Sequence, residues 1–191
     1  PYGQSKRECE EILEKLNESD FSFKNITLRY FNPIGAHSSG LLGESPNGKP
    51  DNIFPLIMKS ASTKEHELNV FGNNWPTKDG SCIRDYIHVM DLAEGHIKAL
   101  EFLNNNPSNV YNINLGTGKG TSVLELIKIF EDTNNVKINY RISERRKGDL
   151  AVVVADNKLA KKLLQWTPSR TVERMCKDGW IWKNKNPKGF L

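Results

Sequence analysis

Runs of β-branched and aromatic residues alternate with runs of helical period along nearly the whole chain, and this alternation limits the fold more than any other feature. Strands are expected at residues 26–31, 68–71, 84–89, 110–115 and 136–142. Helices are expected at 2–16, with Cys9, Ile12, Leu13 and Leu16 as the apolar stripe, and at 53–62, entered through Phe54-Pro55. A third runs from Asp91, as N-cap, to about residue 104, with Ala93, Ile97 and Leu100 on one face. Ser122 and Glu125 form a capping box before a helix that buries Val123, Leu126, Ile127 and Phe130. Two more follow, from Asp156 (Leu159, Leu163, Leu164) and over 171–183. Asn32-Pro33-Ile34-Gly35 reads as a turn, and a Gly/Ser/Pro-rich loop continues to about Asn52; a loop that long is usually functional or disordered. Strand following helix in this way argues for an α/β fold.

Composition narrows the class of function. The 191 residues are enough for one ordinary core with a small appendage, and 37% hydrophobic and 26% charged residues suit a globular chain. The net charge of +4 is mild, and the tightest basic cluster is Arg145-Arg146-Lys147, which suits one small anion site better than a nucleic-acid surface. No apolar run approaches a membrane span. Cys9, Cys82 and Cys176 lack any Cys-x-x-Cys spacing, and the histidines lack ligand spacing, so no metal is indicated and a reducing, cytoplasmic setting is expected. The chain begins at Pro1, already at the edge of a helical pattern, which is expected of a truncated or processed sequence.

The first motif that can carry chemistry is Tyr2-Gly-Gln-Ser-Lys6. On a helix, positions i and i+4 share a face. A lysine charge ~6 Å from a phenol, at an effective dielectric of ~20, contributes about 3 kcal/mol. That is enough to bring a phenol, whose ordinary pKa is near 10, toward use as a base at neutral pH. Alone the pattern is short, and an exposed Tyr and Lys on a helix surface would look the same.

Four further motifs follow it in order: Leu28-Arg-Tyr-Phe-Asn-Pro-Ile-Gly-Ala-His37, Arg84-Asp-Tyr-Ile-His-Val-Met-Asp-Leu-Ala93, Tyr111-Asn-Ile-Asn-Leu-Gly-Thr-Gly118 and Arg145-Arg-Lys-Gly-Asp149. Together they resemble the extended short-chain dehydrogenase/reductase superfamily, and within it the UDP-galactose (UDP-glucose) 4-epimerase family, over essentially all of the chain. The segments Gly72-Asn-Asn-Trp-Pro-Thr-Lys-Asp-Gly80 and Trp180-Ile-Trp182 to Asn186-Pro-Lys-Gly-Phe190 are the closer to the epimerases.

The resemblance implies the C-terminal portion of such an enzyme. Residues 1–33 would be the remnant of an NAD-binding Rossmann domain, and 34–191 mainly a nucleotide-sugar-binding domain, with returns to the Rossmann domain allowed. It implies Tyr2 as catalytic base and Lys6 as its tuning residue, both also touching NAD, with Phe31 beside the nicotinamide. It implies Asn32, Asn52 and Ile53 as contacts to a UDP-sugar, Asn69, Val70 and Phe71 as the uracil pocket, and Arg84 and Arg146 as the diphosphate grip. Asp149 would accept bonds from the ribose, and Val153 would face the sugar, where a small residue leaves room for an N-acetyl group. NAD would be a reusable prosthetic group, and the full-length protein a homodimer. A nucleotide-sugar dehydratase of the same superfamily and a non-catalytic remnant without the cofactor domain are the alternatives; residues 1–191 alone are expected to be inactive.

Gly116-x-Gly118-x-Gly120 invites a dinucleotide-binding reading, but position 121, where the fingerprint needs its third glycine, is Thr121. By the resemblance, this loop belongs to the substrate half.

Overall fold

The computed structural model describes residues 2–20, 22–48, 50–63, 65–106 and 110–190, and the side chain of Tyr2 lies outside it. Along the chain run α1 (Tyr2–Ser19), β1 (Asn25–Tyr30), β2 (Asn32–Ile34), α2 (Ile53–Ser62), β3 (Leu68–Phe71), β4 (Ile83–Arg84), β5 (Tyr86–His88) and α3 (Val89–Asn105). Then come β6 (Val110–Leu115), β7 (Thr121–Ser122), α4 (Val123–Asn134), β8 (Tyr140–Ser143), β9 (Val152–Val153), α5 (Lys158–Leu164) and α6 (Val172–Lys185). Strands β1 and β6, β2 and β5, β3 and β8, and β4 and β9 pair in parallel; only β4 with β7 is antiparallel among the described residues. Parallel neighbours need long crossovers, which the intervening helices supply, so the fold is α/β as expected.

The apolar side chains collect in two clusters. One joins Ile34, Phe54, Ile57, Leu68, Val70 and Tyr86 to Leu126, Phe130 and Met175, uniting α2, β3, α4 and α6. The other joins Ile87, Leu92 and Ala99 to Ile113, Leu115, Leu164 and Trp166, with Ile26 and Leu28 of β1 packed against it. The chain crosses between the clusters repeatedly, and the crossing at β4–β5 matters most. Ile83 and Arg84 pair with Val152 and Val153, whereas Tyr86 to His88 pair with Asn32 to Ile34.

Five expectations are corrected. The segment Asn32-Pro33-Ile34 is a short strand, not a turn; the turn begins at Gly35, whose φ is +89°. Helix α3 is capped by His88, whose ring accepts from the Met90 amide, while Asp91 is buried in the first turn and held by Arg170. Its inward face is Leu92, Gly95 and Ala99; Ile97 and Leu100 are 57% and 62% exposed. Small residues decide that face, because a Cβ on Gly95 would stand 3.0 Å from Leu115 and 3.3 Å from Trp166. Residues 136–139 are not strand. The Val136 and Ile138 amides are tied back to the carbonyl and carboxylate of Glu131, and the Asn139 amide to the Ser60 hydroxyl, which leaves only 140–143 to pair with β3.

The fifth correction concerns α1. Its helical period is right, but Ile12 and Leu16 are 58% and 47% exposed. Polar contacts hold it to the strands instead: Arg29 donates to Glu10 at 2.7 Å, and Asn112 to Glu14 at 3.2 Å. Strand β1 has one strand partner among the described residues, β6, and its other edge carries none.

Candidate nucleotide-sugar site

Asn32, Asn52, Ile53, Asn69, Val70, Phe71, Arg84, Arg146 and Asp149, which the sequence places on five separate segments, line a single cleft with about 730 Å³ of empty space, its open mouth included. Asp51, Leu56, Leu68, Cys82, Tyr86 and Val123 complete the lining. Helix α2 begins at the rim with Asn52 at its N-cap, and the Asn52 side chain makes no capping bond. The first-turn amides of a helix carry partial positive charge and suit an anion.

Charge is concentrated at one end. Arg84 donates through Nη1 to the carbonyls of Ile83 (2.9 Å) and Leu150 (2.8 Å), which fixes its fork, and its Nη2 lies 3.7 Å from Asp149. Arg146 reaches the other Asp149 oxygen through Nε at 3.2 Å, and its guanidinium covers the Phe71 ring at 4.6 Å. One carboxylate between two guanidinium groups leaves a net positive charge, with planar donors positioned for a bidentate anion. The Asn69 carboxamide oxygen is already held by Arg141 (2.7 Å) and Ser143 (3.0 Å), so its NH2 and its backbone remain for the cleft.

Arg84 is aimed by its neighbour. Asp85 is fully buried and points away from Arg84, into the turn after β6. It accepts from the Thr117 amide (2.9 Å) and hydroxyl (2.6 Å), the Gly118 amide (2.9 Å) and the Ala155 amide (3.1 Å). Four donors offset the cost of burying the carboxylate. A Cβ on Gly116 would stand 2.5 Å from Ala155 and 2.8 Å from Asp85, which is why that position is glycine. The glycine-rich loop thus cradles the protein's own carboxylate, and a dinucleotide phosphate does not fit there.

The remaining expected residues lie elsewhere. Lys6 lines a groove between α1 and β1 with Gly3, Arg7, Glu10 and Thr27 to Tyr30. The side chain of Tyr2 is outside the described residues. Phe31 follows β1, donates its amide to Leu115, and is half-buried outside the cleft. Val153 is half-buried in β9, opposite Arg84 in register, and is not in the cleft lining. Of the lining residues given no role by the resemblance, Tyr86 was accessible to strand logic: two places after Arg84 in an extended segment, it shares that residue's face. Cys82, Leu68 and Val123 carry no such signal.

Family and relatives agree with this geometry. The NAD dependent epimerase/dehydratase family matches residues 1–114, and the chain belongs to that family. The chain is 48% identical over 191 residues to the UDP-glucose 4-epimerase of Drosophila melanogaster, covering all of this chain and 55% of that protein. It is 50% identical over 191 residues to the UDP-glucose 4-epimerase of Bacillus subtilis, covering all of this chain and 56% of that protein. The solved UDP-glucose 4-epimerase of Bifidobacterium longum, in complex with NAD+ and UDP, matches with a TM-score of 0.94 at 45% identity, over all of this chain and 56% of that one. The chain therefore spans about half the length of the curated relatives it matches. No described helix is long and apolar enough to cross a membrane.

Proposed function

We propose that this chain forms the nucleotide-sugar side, and the closing elements of the cofactor domain, of an NAD-dependent UDP-glucose 4-epimerase that interconverts UDP-glucose and UDP-galactose. The observation that carries this reading is the convergence of Arg84, Arg146 and Asp149 with Asn32, Asn52 and the 69–71 segment in one cleft. That set suits a uridine diphosphate: guanidinium forks for the phosphates, a carboxylate for ribose hydroxyls, and amides with an aromatic ring for the base.

The cluster around β1, β6, α3 and α5 would belong with the cofactor domain, and the cluster around α2, β3, α4 and α6 with the nucleotide sugar. A bound NAD would supply a hydride acceptor and donor at carbon 4 of the hexose. Tyr2 would remove the proton from the carbon-4 hydroxyl, with Lys6 stabilising the phenolate that acts. Arg84 and Arg146 would hold the UDP moiety while the 4-keto sugar turns over, so that it is not lost to solvent. Val153, beside Arg84 across the β4–β9 pair, would bound the sugar pocket without the bulk of an aromatic ring. The exposed Ile12 and Leu16 of α1 support a second copy as partner, which sedimentation of the full-length protein at monomer mass would contradict. The free Cys9, Cys82 and Cys176 suit a reducing cytoplasm, and trapping of a Cys82–Cys176 disulfide in the native protein would argue against it.

The test is Tyr2→Phe in the full-length enzyme. Turnover of UDP-galactose should fall by about 10²- to 10⁴-fold, the usual contribution of an acid–base group, with UDP affinity unchanged. Wild-type turnover in the variant would refute the assignment.

A further inference from the structure

We propose that the Tyr86 hydroxyl is a ligand-binding group that donates a hydrogen bond to a phosphate oxygen of the bound nucleotide, beyond the Arg84, Arg146 and Asp149 set. The inference rests on the cleft being the nucleotide-sugar site, and it adds a donor that the sequence motifs did not single out.

Tyr86 is 2% exposed and lines the cleft, yet its hydroxyl has no hydrogen-bond partner among the described residues. Buried polar atoms are paired in nine cases of ten or more, because leaving one unpaired sacrifices its hydration without return. The ring itself is accounted for, as part of the apolar cluster with Leu68, Val70 and Leu126. A phenylalanine would serve that packing equally well, so the hydroxyl needs a separate explanation.

Position along the chain indicates what it meets. Arg84 and Tyr86 flank Asp85, and Asp85 points the other way into the glycine-rich turn. Side chains two apart in an extended segment share a face, ~7 Å apart along the strand, so the phenol and the guanidinium address one region. The register neighbour of Tyr86 is Asn32, another cleft residue. The ionisable groups that act on the phenol are Arg84, Cys82 and Cys176, with no carboxylate among them. Burial pushes the phenol far above its ordinary pKa, with Arg84 opposing only in part, so it carries its proton at every physiological pH. A permanent donor beside a guanidinium fork, with no internal acceptor, is matched by an anionic oxygen.

The experiment compares wild type, Tyr86→Phe and Arg84→Ala in the full-length protein. UDP affinity is read by titration calorimetry, uridine affinity by ligand-observed NMR, and ligand-free stability by thermal unfolding. Tyr86→Phe should weaken UDP about tenfold, the scale of one bond to a charged group, and leave uridine unchanged. It should also keep or raise the ligand-free Tm, because it removes a buried unpaired hydroxyl. UDP affinity equal to wild type, equal losses for UDP and uridine, or a lowered ligand-free Tm would each overturn the proposal. Arg84→Ala separates the two levels. If it binds UDP as wild type does, the assignment of the cleft fails; if it weakens UDP while Tyr86→Phe does not, only the role of Tyr86 fails.

Discussion

His88 shows how far a single side chain's hydrogen bonds can fix its chemistry. It is fully buried, and its Nδ1 accepts from the Met90 amide at 3.0 Å, so the ring proton sits on Nε2, 3.3 Å from Asp178. A second proton would have to go on Nδ1, facing an N–H. Burial holds the imidazole below its ordinary pKa, against the opposing pull of Asp178. Arg174, bonded to the same Asp178 oxygen at 2.6 Å, and the Arg170–Asp91 pair complete its charged surroundings. A depressed folded-state pKa means that the folded protein binds fewer protons than the unfolded chain, so stability is full above pH ~6.5 and is lost as pH falls below it. Wild-type Tm should therefore drop as pH falls below about 6.5, and His88→Asn, which can still cap α3, should flatten that slope. Equal slopes would contradict the account. None of this was legible in the sequence, where His88 was one letter of a motif and Asp91 was given its capping role. Arg84 was legible as a candidate anion ligand; that Asp85 turns away to fill the Gly116–Gly118 turn was not, because two adjacent residues in a strand need the partner sheet to say which side is which.

At the scale of elements, local chemistry was read well and long-range choice was not. Helix α2 and strands β3 and β6 fall on the expected residues, and the capping box of α4 is present in both halves: Ser122 accepts from the Glu125 amide at 3.0 Å, and its own amide donates to Glu125 at 3.2 Å. These signals are contained in a few consecutive residues. By contrast, the inward face of α3 and the end of the strand at 140–143 depend on Trp166, Leu115 and Ser60, each distant in sequence. Ser122 also donates to Asp79, which itself receives the Ser81 amide and hydroxyl. Burial alone would raise the Asp79 pKa, but these bonds outweigh it and hold the carboxyl below its ordinary range. Ser122 thus ties α4 and β7 to the segment leading into Arg84. Ser122→Ala should cost about 1–2 kcal/mol in urea unfolding, the upper part of the range for a lost N-cap. A loss within experimental error would show that the cap is dispensable. Residues 39–45 of the long loop before α2 are held by the C-terminal segment: Lys185 and Asn186 donate to the carbonyls of Ser39 and Gly40, and the Phe190 amide to the Ser45 hydroxyl. That gives the ending at residues 180–190 a physical role, which is to hold the loop that delivers Asp51, Asn52 and Ile53 to the cleft.

Across the whole molecule, two apolar clusters share one chain that crosses between them, and the cleft is lined from the one built on α2, β3, α4 and α6. Nine of its lining residues are those that the resemblance implies, and of these Asn32, Arg84, Arg146 and Asp149 lie in the ordered motifs. Lys6, in the groove between α1 and β1, and Phe31, whose amide donates to Leu115 of β6, stand apart from it, in keeping with a division between cofactor and nucleotide-sugar sides. The central claim is that this cleft binds UDP through two arginines set around one aspartate. Calorimetric titration of UDP into the full-length protein tests it most directly. The account predicts that Arg84→Ala and Arg146→Ala each weaken UDP by about 1.5–3 kcal/mol, and that Arg84→Lys restores only part of the loss because lysine lacks the planar fork. Wild-type affinity in both alanine variants would place the diphosphate elsewhere and contradict the account.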